Sequence, residues 1–401
     1  MRILCICVLT VTFFPINTSL AQFAYDRIEN ETDFGYKPWQ FYWTPRYNRV
    51  EGVFLNAGAR FRPEKFERVR LYADGGWGFW NEGGKQFRFN AGIRRDFLEF
   101  RRVSLGVDVF RKLGSADNWL VNDVENSLSA ILFRDDFRDY YGVHGFRLYA
   151  DHYFLEQHTL RFEVVRQTYD QLKRNIDWSV FDGSFDENPV ITPPGIVGGN
   201  ELAFRLIGAF DWRDNPIFPL NGWFLEFIYE HTEEDFKTDG LFLSAHRFLQ
   251  TVGNQRLILR GLLGSRHGST AEQYLIDFGG VGTLRGFDDR EFSGNRVFML
   301  SANYMFGGDI MQKVPVQRVP VIGSFWTMLS LGVFVDTGWS TLTDISDGIF
   351  EGFGDFSPDN FKTDIGLSLY VLEGVFRMDL AKRTDRSNDD WRLTFRLLQT
   401  F

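Results

Sequence analysis

The sequence predicts an all-β fold, a transmembrane antiparallel β-barrel of 16 strands, from three observations. The chain begins with an export signal, and its later segments alternate apolar with polar or small residues over about ten positions. No later stretch reaches the ~20 apolar residues that a membrane-spanning helix needs. Although the mean hydropathy of −0.22 is typical of a soluble protein, the alternation predicts strands with one lipid face and one polar face.

Residues 1–21 are predicted to be a secretory signal peptide. Arg2 precedes an apolar run over 3–14, and Ser19 and Ala21 stand at the −3 and −1 positions of a cleavage site before Gln22. The alternative is a membrane anchor, for which the run is short. Both cysteines of the chain lie in this segment, so the mature protein should contain neither disulfides nor thiolate metal sites.

The rest of the chain is predicted to form one domain, because nothing after residue 46 resembles a linker. We expect a short periplasmic N-terminal segment at 22–46 and the barrel at 47–401. The formal charge of −9 comes without a basic stripe, which excludes nucleic acid as a partner.

The alternation separates two unlike faces. Val53, Leu55 and Ala57 alternate with Asn56 and Gly58, and the same pattern recurs near residue 331. A secreted β-sandwich also alternates, but glycine mixed with both signs of charge is more typical of a barrel lumen. Four tryptophans near strand ends are expected in the aromatic girdles at the membrane surfaces: Trp77, Trp80, Trp223 and Trp339.

The pattern places strands near 47–62, 66–80, 84–98, 101–113, 139–154, 158–173, 201–214, 222–235, 241–251, 254–267, 295–306, 328–339, 361–372, 374–383 and 391–401. These are 15, and a barrel with both ends in the periplasm needs an even number, so one strand is missing. We expect it at 120–135 or 176–192. The first segment could instead be a helix, because Val124, Leu128 and Ile131 have helical spacing behind Asn122.

An external loop is predicted between residues 263 and 296. It contains Gly279-Gly280-Val281-Gly282-Thr283-Leu284-Arg285-Gly286-Phe287. A dinucleotide-binding loop is excluded, because no βαβ unit surrounds these glycines. Turns with positive φ would explain the glycines but not the arginine and phenylalanine between and after them.

Thr283-Leu284-Arg285-Gly286-Phe287 resembles the external-loop motif of the bacterial surface antigen superfamily, the BamA/TamA-like outer-membrane assembly barrels. Three other stretches resemble the family in order and position: a periplasmic turn from Asp211 to Gly222, an acidic strand from Phe334 to Gly338, and a penultimate strand from Gly374 to Ala381. The resemblance covers about residues 200–401.

The resemblance implies that the loop folds into the lumen and that Arg285 pairs with Asp336. The alternation agrees, since Asp336 has lumen parity and a buried carboxylate needs a partner. We therefore predict a loop-to-lumen lock of Arg285, Gly286, Phe287 and Asp336. The alternative is a solvated loop charge at Arg285.

Two further sets of residues are assigned structural roles. In the predicted turn, Asn-Pro begins the reversal and Gly222 starts the next strand. Its candidate residues are Asp211, Arg213, Asp214, Pro216, Pro219 and Gly222. The C-terminal residues Phe395, Leu397 and Phe401 resemble the strand signal by which barrels are recognised for insertion, although Gln399 departs from it.

We expect no enzymatic activity, metal or cofactor. The six histidines lack metal-ligand spacing and no Gly-x-Ser-x-Gly elbow is present. A membrane hydrolase with catalytic groups on separate strands is a third functional class. The acidic run Glu233-Glu234-Asp235 is predicted to be a solvated loop, with weak divalent binding as the alternative.

The resemblance implies a protein of the Gram-negative outer membrane that acts in its biogenesis, by protein insertion or translocation. A weak seam between the first strand, near 47–62, and the last, near 391–401, could open and pair with an incoming strand. Expected partners are outer-membrane lipid and lipopolysaccharide. A periplasmic protein would supply client binding, because 22–46 is too short for one of the family's POTRA domains. The alternative is a loop-gated pore or surface receptor.

Overall fold

The fold was analysed in a computed structural model. It describes residues 38–66, 68–80, 87–98, 102–154, 157–181, 195–216, 218–307, 326, 328–386 and 390–397. The predicted signal peptide, residues 22–37 and Phe401 lie outside these ranges.

One antiparallel sheet contains most of the strands. The strands of this sheet and of a small hairpin are, in chain order, β1 (Trp39–Trp43), β2 (Arg46–Asn48), β3 (Gly52–Phe61), β4 (Val69–Gly78), β5 (Phe87–Phe97), β6 (Val103–Gly114), β7 (Tyr141–Phe154), β8 (His158–Gln171), β9 (Gly199–Asp211), β10 (Gly222–Glu234), β11 (Asp239–Gln250), β12 (Arg256–His267), β13 (Ile276–Phe278), β14 (Phe292–Gly294), β15 (Arg296–Phe306), β16 (Leu329–Thr341), β17 (Lys362–Val371), β18 (Phe376–Arg383) and β19 (Arg392–Leu397).

Neighbouring strands in the sheet follow chain order. One exception among the described strands is that β12 pairs with β15, because β13 and β14 form a separate hairpin between them. Both β1 and β2 pair with β3, at Ala57–Phe61 and Gly52–Phe54 respectively, so together they form one interrupted strand. Counted in this way, the described sheet has the sixteen strands that the sequence predicts.

The missing strand is the first one, and of the two predicted positions for it, 120–135 was wrong and 176–192 lies mostly outside the described residues. The sheet begins at Trp39, so the predicted boundary between 46 and 47 was also too late, and 47–62 contains a turn followed by β3. The alternation of apolar and polar residues did not reveal this first strand for two reasons. Four of the five residues of β1 are aromatic, so its two faces look alike, and Pro45, which cannot donate a ladder hydrogen bond, interrupts the run.

Residues 120–135 contain a helix, α1 (Asp123–Phe133), which was the alternative to a strand there. Asn122 is its N-cap, and the Asn122 side chain accepts a hydrogen bond from the amide of Glu125. The other predicted position, 176–192, is not strand over its described part, 176–181. None of the described helices has the length and apolar composition needed to cross a bilayer.

The two faces of the sheet differ as expected of a barrel in lipid. Outward positions carry exposed apolar side chains, and inward positions carry buried charged ones. Outward examples are Leu55, Ile93, Leu105, Leu148, Phe162, Leu300, Val333, Ile365, Leu380 and Leu393. Inward examples are Arg94, Asp96, Asp108, Asp151, Arg161, Glu163, Asp336 and Asp379.

The connections alternate between two ends of the barrel. The first, here called the turn end, carries short connections such as 155–157, 212–221 and 372–375. The second, the loop end, carries residues 115–140, called the α1 loop, and residues 268–295, called the plug loop. Both loops contact lumen-facing side chains of the sheet, so they fill part of the barrel.

Candidate functional site

The plug loop is built on the β13–β14 hairpin and a glycine turn. Gly280 and Gly282 have φ values of +73° and +88°, which side chains with a Cβ rarely adopt. The hydroxyl of Thr283 accepts a hydrogen bond from the Gly279 amide at 2.8 Å, which closes the turn. The turn therefore fixes the direction in which Arg285 leaves the loop.

Arg285 and Asp336 are brought together inside the barrel. The Nε and Nη2 atoms of Arg285 donate to Asp336 Oδ2 and Oδ1 at 2.7 and 2.9 Å, which is a bidentate pair. Both side chains are almost fully buried. Arg285 is therefore a buried lumenal residue and not a solvated loop charge.

Three more groups surround the Arg285 guanidinium. It donates to Asn303 Oδ1 at 2.7 Å and to Asp379 Oδ1 at 3.3 Å, and it lies 3.3 Å from the centroid of the Phe334 ring. Burial by itself would lower the pKa of Arg285, but Asp336 and Asp379 outweigh it and raise this pKa above its usual value. The arginine therefore stays charged in the lumen.

Gly286 and Phe287 complete the contact with the barrel wall. A Cβ added at Gly286 would lie 2.7 Å from Asp364 Cβ and 2.8 Å from the backbone nitrogen of Arg383, so only glycine allows this approach. The Phe287 ring is buried, and the Arg383 guanidinium lies 4.2 Å from its centroid. The four residues of the predicted lock thus occupy one continuous contact.

The sequence reasoning did not assign three members of this contact: Asn303, Asp364 and Asp379. Each belongs to a strand that the sequence located, and Asp379 has the same inward parity as Arg377. The sequence signal that could have identified such residues is a charged side chain at an inward position near the predicted lock. It was insufficient, because most inward positions of a barrel are polar.

A second contact joins the plug loop to the α1 loop. Arg290 of the plug loop pairs with Asp139, which also pairs with Arg49. Carboxylate oxygens of Asp117, Asp139 and Asp277 lie within 4.8 Å of one another, and all three residues are buried. Since two guanidinium groups bind Asp139, we interpret the cluster as an ion-pair contact between the loops.

The cluster shifts the titration of its acidic groups. Burial, followed by the negative charge of Asp139, raises the pKa of Glu272 from 4.5 to about 8. Burial, followed by the charge of Asp117, raises the pKa of Asp277 from 3.8 to about 8. The folded chain therefore binds these protons more tightly than the unfolded chain does.

Stability is expected to fall as pH rises from about 4 to about 8, because in that window the unfolded chain has released these protons while the folded chain still binds them. We expect the Tm in detergent to be about 3–6 °C lower at pH 9 than at pH 6. The Asp277→Asn variant, which cannot ionise, should show roughly half of this difference. A Tm that is equal or higher at pH 9 would contradict the assignment.

The α1 loop also contacts both terminal strands, β2 and β19. The Tyr47 amide of β2 donates to Ser127 Oγ at 3.1 Å. The Leu397 amide of β19 donates to Glu125 Oε1 at 3.1 Å, and its carbonyl accepts from Asn122 Nδ2 at 2.9 Å. Side chains of α1 and its N-cap therefore satisfy backbone groups at the edges where the sheet begins and ends.

An ion pair strengthens the contact with the last strand. Arg396 Nε donates to Glu125 Oε1 at 2.7 Å, and Arg396 also donates to the carbonyl of Leu120. Other neighbouring strands have continuous antiparallel registers, for example Ser301 opposite Asp336. Within the described ranges no such register joins β19 to β2. We call this junction the seam.

The predicted turn between β9 and β10 lies at the turn end. Arg213 makes a bidentate pair with Asp211 at 2.9 and 2.8 Å, and Asp214 accepts from the Leu220 amide at 2.9 Å. Gly222 has φ +125°, and a Cβ there would lie 2.6 Å from Arg213 Cα. Pro216 is exposed in the turn, and the carbonyl of Pro219 accepts from Arg256.

The remaining candidate residues are on the outside or at the loop end. Phe395 of β19 faces outward and is exposed, and Leu397 shares its parity. In the acidic run, each residue has a partner within the protein: Glu233 contacts His231, Glu234 pairs with Arg166, and Asp235 accepts from the Asn200 amide.

Comparison with known proteins gives similarity at the level of structure. No family model and no curated protein matches the sequence. The structure of BamA from Haemophilus ducreyi lacking POTRA domains 1–3 is similar with a TM-score of 0.56 and 14 % identity, over 90 % of this chain and 70 % of that one. CdiB from Escherichia coli has a TM-score of 0.44 and 12 % identity, over 90 % and 62 %. The fold of this chain is that of a BamA-like outer-membrane β-barrel.

Proposed function

We propose that this barrel acts in outer-membrane biogenesis by opening its seam and pairing an incoming β-strand with the exposed edge. The observation that carries the proposal is the seam itself, where α1 side chains contact both terminal strands and no backbone register joins Arg46–Asn48 to Arg392–Leu397. The proposed action is non-covalent, so it needs neither catalytic residues nor a cofactor.

The seam has the properties that strand exchange requires. An unpaired strand edge within a membrane is costly, because lipid offers no hydrogen-bond partners to its backbone groups. At this seam the partners are side chains, and each such bond contributes about 1 kcal/mol. An incoming strand would replace them with a full backbone ladder, which is the usual mode of β-augmentation.

The sequence motifs support the same proposal. The loop, turn and strand stretches that resemble the BamA/TamA-like assembly barrels occupy the second half of the chain. The residues that pin β19 from the α1 loop, Asn122 and Glu125, lie in the first half, where the resemblance is vague. This chain thus combines an assembly-type plug loop with a seam held by α1.

The test is insertion of a client barrel by the purified protein in liposomes. A urea-unfolded eight-stranded outer-membrane protein is added, and its folding is followed by heat-modifiability on gels. Cysteine pairs at positions 47 with 127 and 125 with 396 are joined by a reducible cross-linker. We expect cross-linking to abolish acceleration of client folding and reduction to restore it.

A release variant complements the cross-link. Ser127→Ala removes the hydrogen bond from Tyr47 and should speed client folding about two- to fivefold, the factor that corresponds to about 1 kcal/mol. Ser129→Ala, on the same helix without a hydrogen bond to the seam, is the matched control. Equal client folding with open and cross-linked protein would refute the proposal.

A loop-gated pore is the second candidate, and a cavity beside the plug loop favours it. Deleting residues 280–292 should then raise single-channel conductance sharply. If the deletion also leaves client folding unchanged, the pore describes the protein better than the assembly role does.

A further inference from the structure

A cavity of about 860 Å³ lies in the barrel beside the plug loop. Side chains of β1 to β12 form its wall, and it is bordered by residues of α1, such as Asn126 and Ser127, and of the plug loop, such as Gln273 and Tyr274. This volume is in the range of pockets that hold small organic molecules. Arg285 and the other three residues of the lock are not among its lining residues.

The lining is strongly basic. Of the described residues that line the cavity, twelve are arginine or lysine and five are aspartate or glutamate. Four more carboxylates pair with these cations from behind: Glu51, Asp96, Asp151 and Glu201. Cations are thus more numerous than carboxylates among the described lining residues, in a chain whose formal net charge is −9.

Lys112 contributes one of these charges on the inner face of β6. Its ammonium nitrogen lies 4.8 Å from the centroid of the Phe110 ring, and it forms no ion pair with any residue in the described part of the chain. The Lys112 side chain is exposed and lines the cavity, so its ammonium group is accessible from the cavity. Lys112 is thus available to a ligand.

Arg88 on β5 provides an unused donor in the same wall. Its Nε donates to Glu51 Oε1 at 2.9 Å, but its buried Nη2 has no hydrogen-bond partner among the described residues. Arg88 is 3 % exposed. Leaving a buried N–H group without a partner costs free energy, so a ligand group or a water molecule that bonded to this atom would be stabilised.

We propose that this cavity binds small organic anions that carry phosphate, sulfonate or carboxylate groups, with Lys112 and Arg88 as the principal contacts. Guanidinium and ammonium groups are the usual partners of these anions. Neighbouring tyrosines offer hydroxyl groups and ring faces to the rest of the ligand, with Tyr72 and Tyr149 joined at 3.4 Å between their hydroxyl oxygens. This activity goes beyond strand assembly and does not depend on it.

The trisulfonated dye pyranine is a suitable probe, because it is a fluorescent organic anion that fits this volume. Its binding to the full chain in a non-ionic detergent is followed by fluorescence anisotropy at constant ionic strength. We expect saturable binding that weakens about tenfold in Lys112→Gln, since a hydrogen bond to a charged group is lost. Inorganic pyrophosphate should compete with the dye.

Arg111→Gln is the matched control, because Arg111 is the neighbour of Lys112 on β6 but is not part of the cavity lining. Its dye affinity should stay within about twofold of the wild type. Arg88→Gln, checked for folding by heat-modifiability, should also weaken binding. Equal losses in Lys112→Gln and Arg111→Gln, or no saturable binding of the dye, would overturn the proposal.

Discussion

Replacing Arg285 with methionine is expected to lower the free energy of unfolding by about 3–5 kcal/mol, the usual effect of removing one partner from a buried ion pair. The substitution leaves Asp336 and Asp379 buried without the guanidinium that contacts both. Methionine has a similar length, so the loss is one of charge and hydrogen bonds more than of volume. Urea unfolding in lipid vesicles, followed by tryptophan fluorescence, measures the change.

Arg166→Met is the control for this prediction. Arg166 also pairs with a carboxylate, Glu234, at 3.1 Å, but its side chain is 59 % exposed, and an exposed pair contributes about 0–1 kcal/mol. Arg285→Lys should lie between the two, because an ammonium cannot make the bidentate contact. Equal effects of Arg285→Met and Arg166→Met would mean that the buried pair does not stabilise the barrel.

Gly286→Val is expected to displace the plug loop from the barrel wall. The new side chain would overlap Asp364 and the backbone between Lys382 and Arg383, which cannot move without disturbing the β17–β18 ladder. Overpacking of this kind costs about 1–3 kcal/mol and occasionally more. We expect a lower Tm and, because Arg285 is drawn out with the loop, a severalfold higher single-channel conductance in planar bilayers.

Gly354→Val is the matched control for the glycine, since no atom lies within 4 Å of a Cβ added at that position. It should leave Tm and conductance at wild-type values. If Gly286→Val behaves in the same way, the plug loop does not require close contact at this point. Gly286→Ala should show a smaller effect of the same sign.

Most strands could be predicted because alternation is a local signal. The β16 segment shows it in Leu331, Val333 and Val335, and the structure confirms that strand. The first strand could not be found in this way, because β1 carries aromatic residues on both faces and Pro45 divides it from β2. The even strand count showed that one was missing, but only its pairing with β3 identifies it.

The candidate site has two parts, the Arg285–Asp336 pair and the contacts of α1 with the seam, and only the first could be predicted from the sequence. The loop motif identified Arg285. The alternation along β16 identified Asp336, because it predicts which side chains of a strand point inward. The contacts of α1 with the seam were not predictable, since Asn122 and Ser127 have ordinary helix-cap and helix-surface roles in the sequence. Their partners, Leu397 and Tyr47, are defined only by how the terminal strands meet in space.

The helix at the seam also has a consequence for the order of folding. Glu125 and Arg396 are separated by 271 positions along the chain, among the longest separations of any hydrogen-bonded side-chain pair described here. Contacts between such distant residues form late, because the intervening chain must first be ordered. The helix α1 can therefore form its hydrogen bonds to β19 only after the last strand has entered the membrane. If the seam receives client strands as proposed, the last strand of a newly made barrel occupies that edge before any client does.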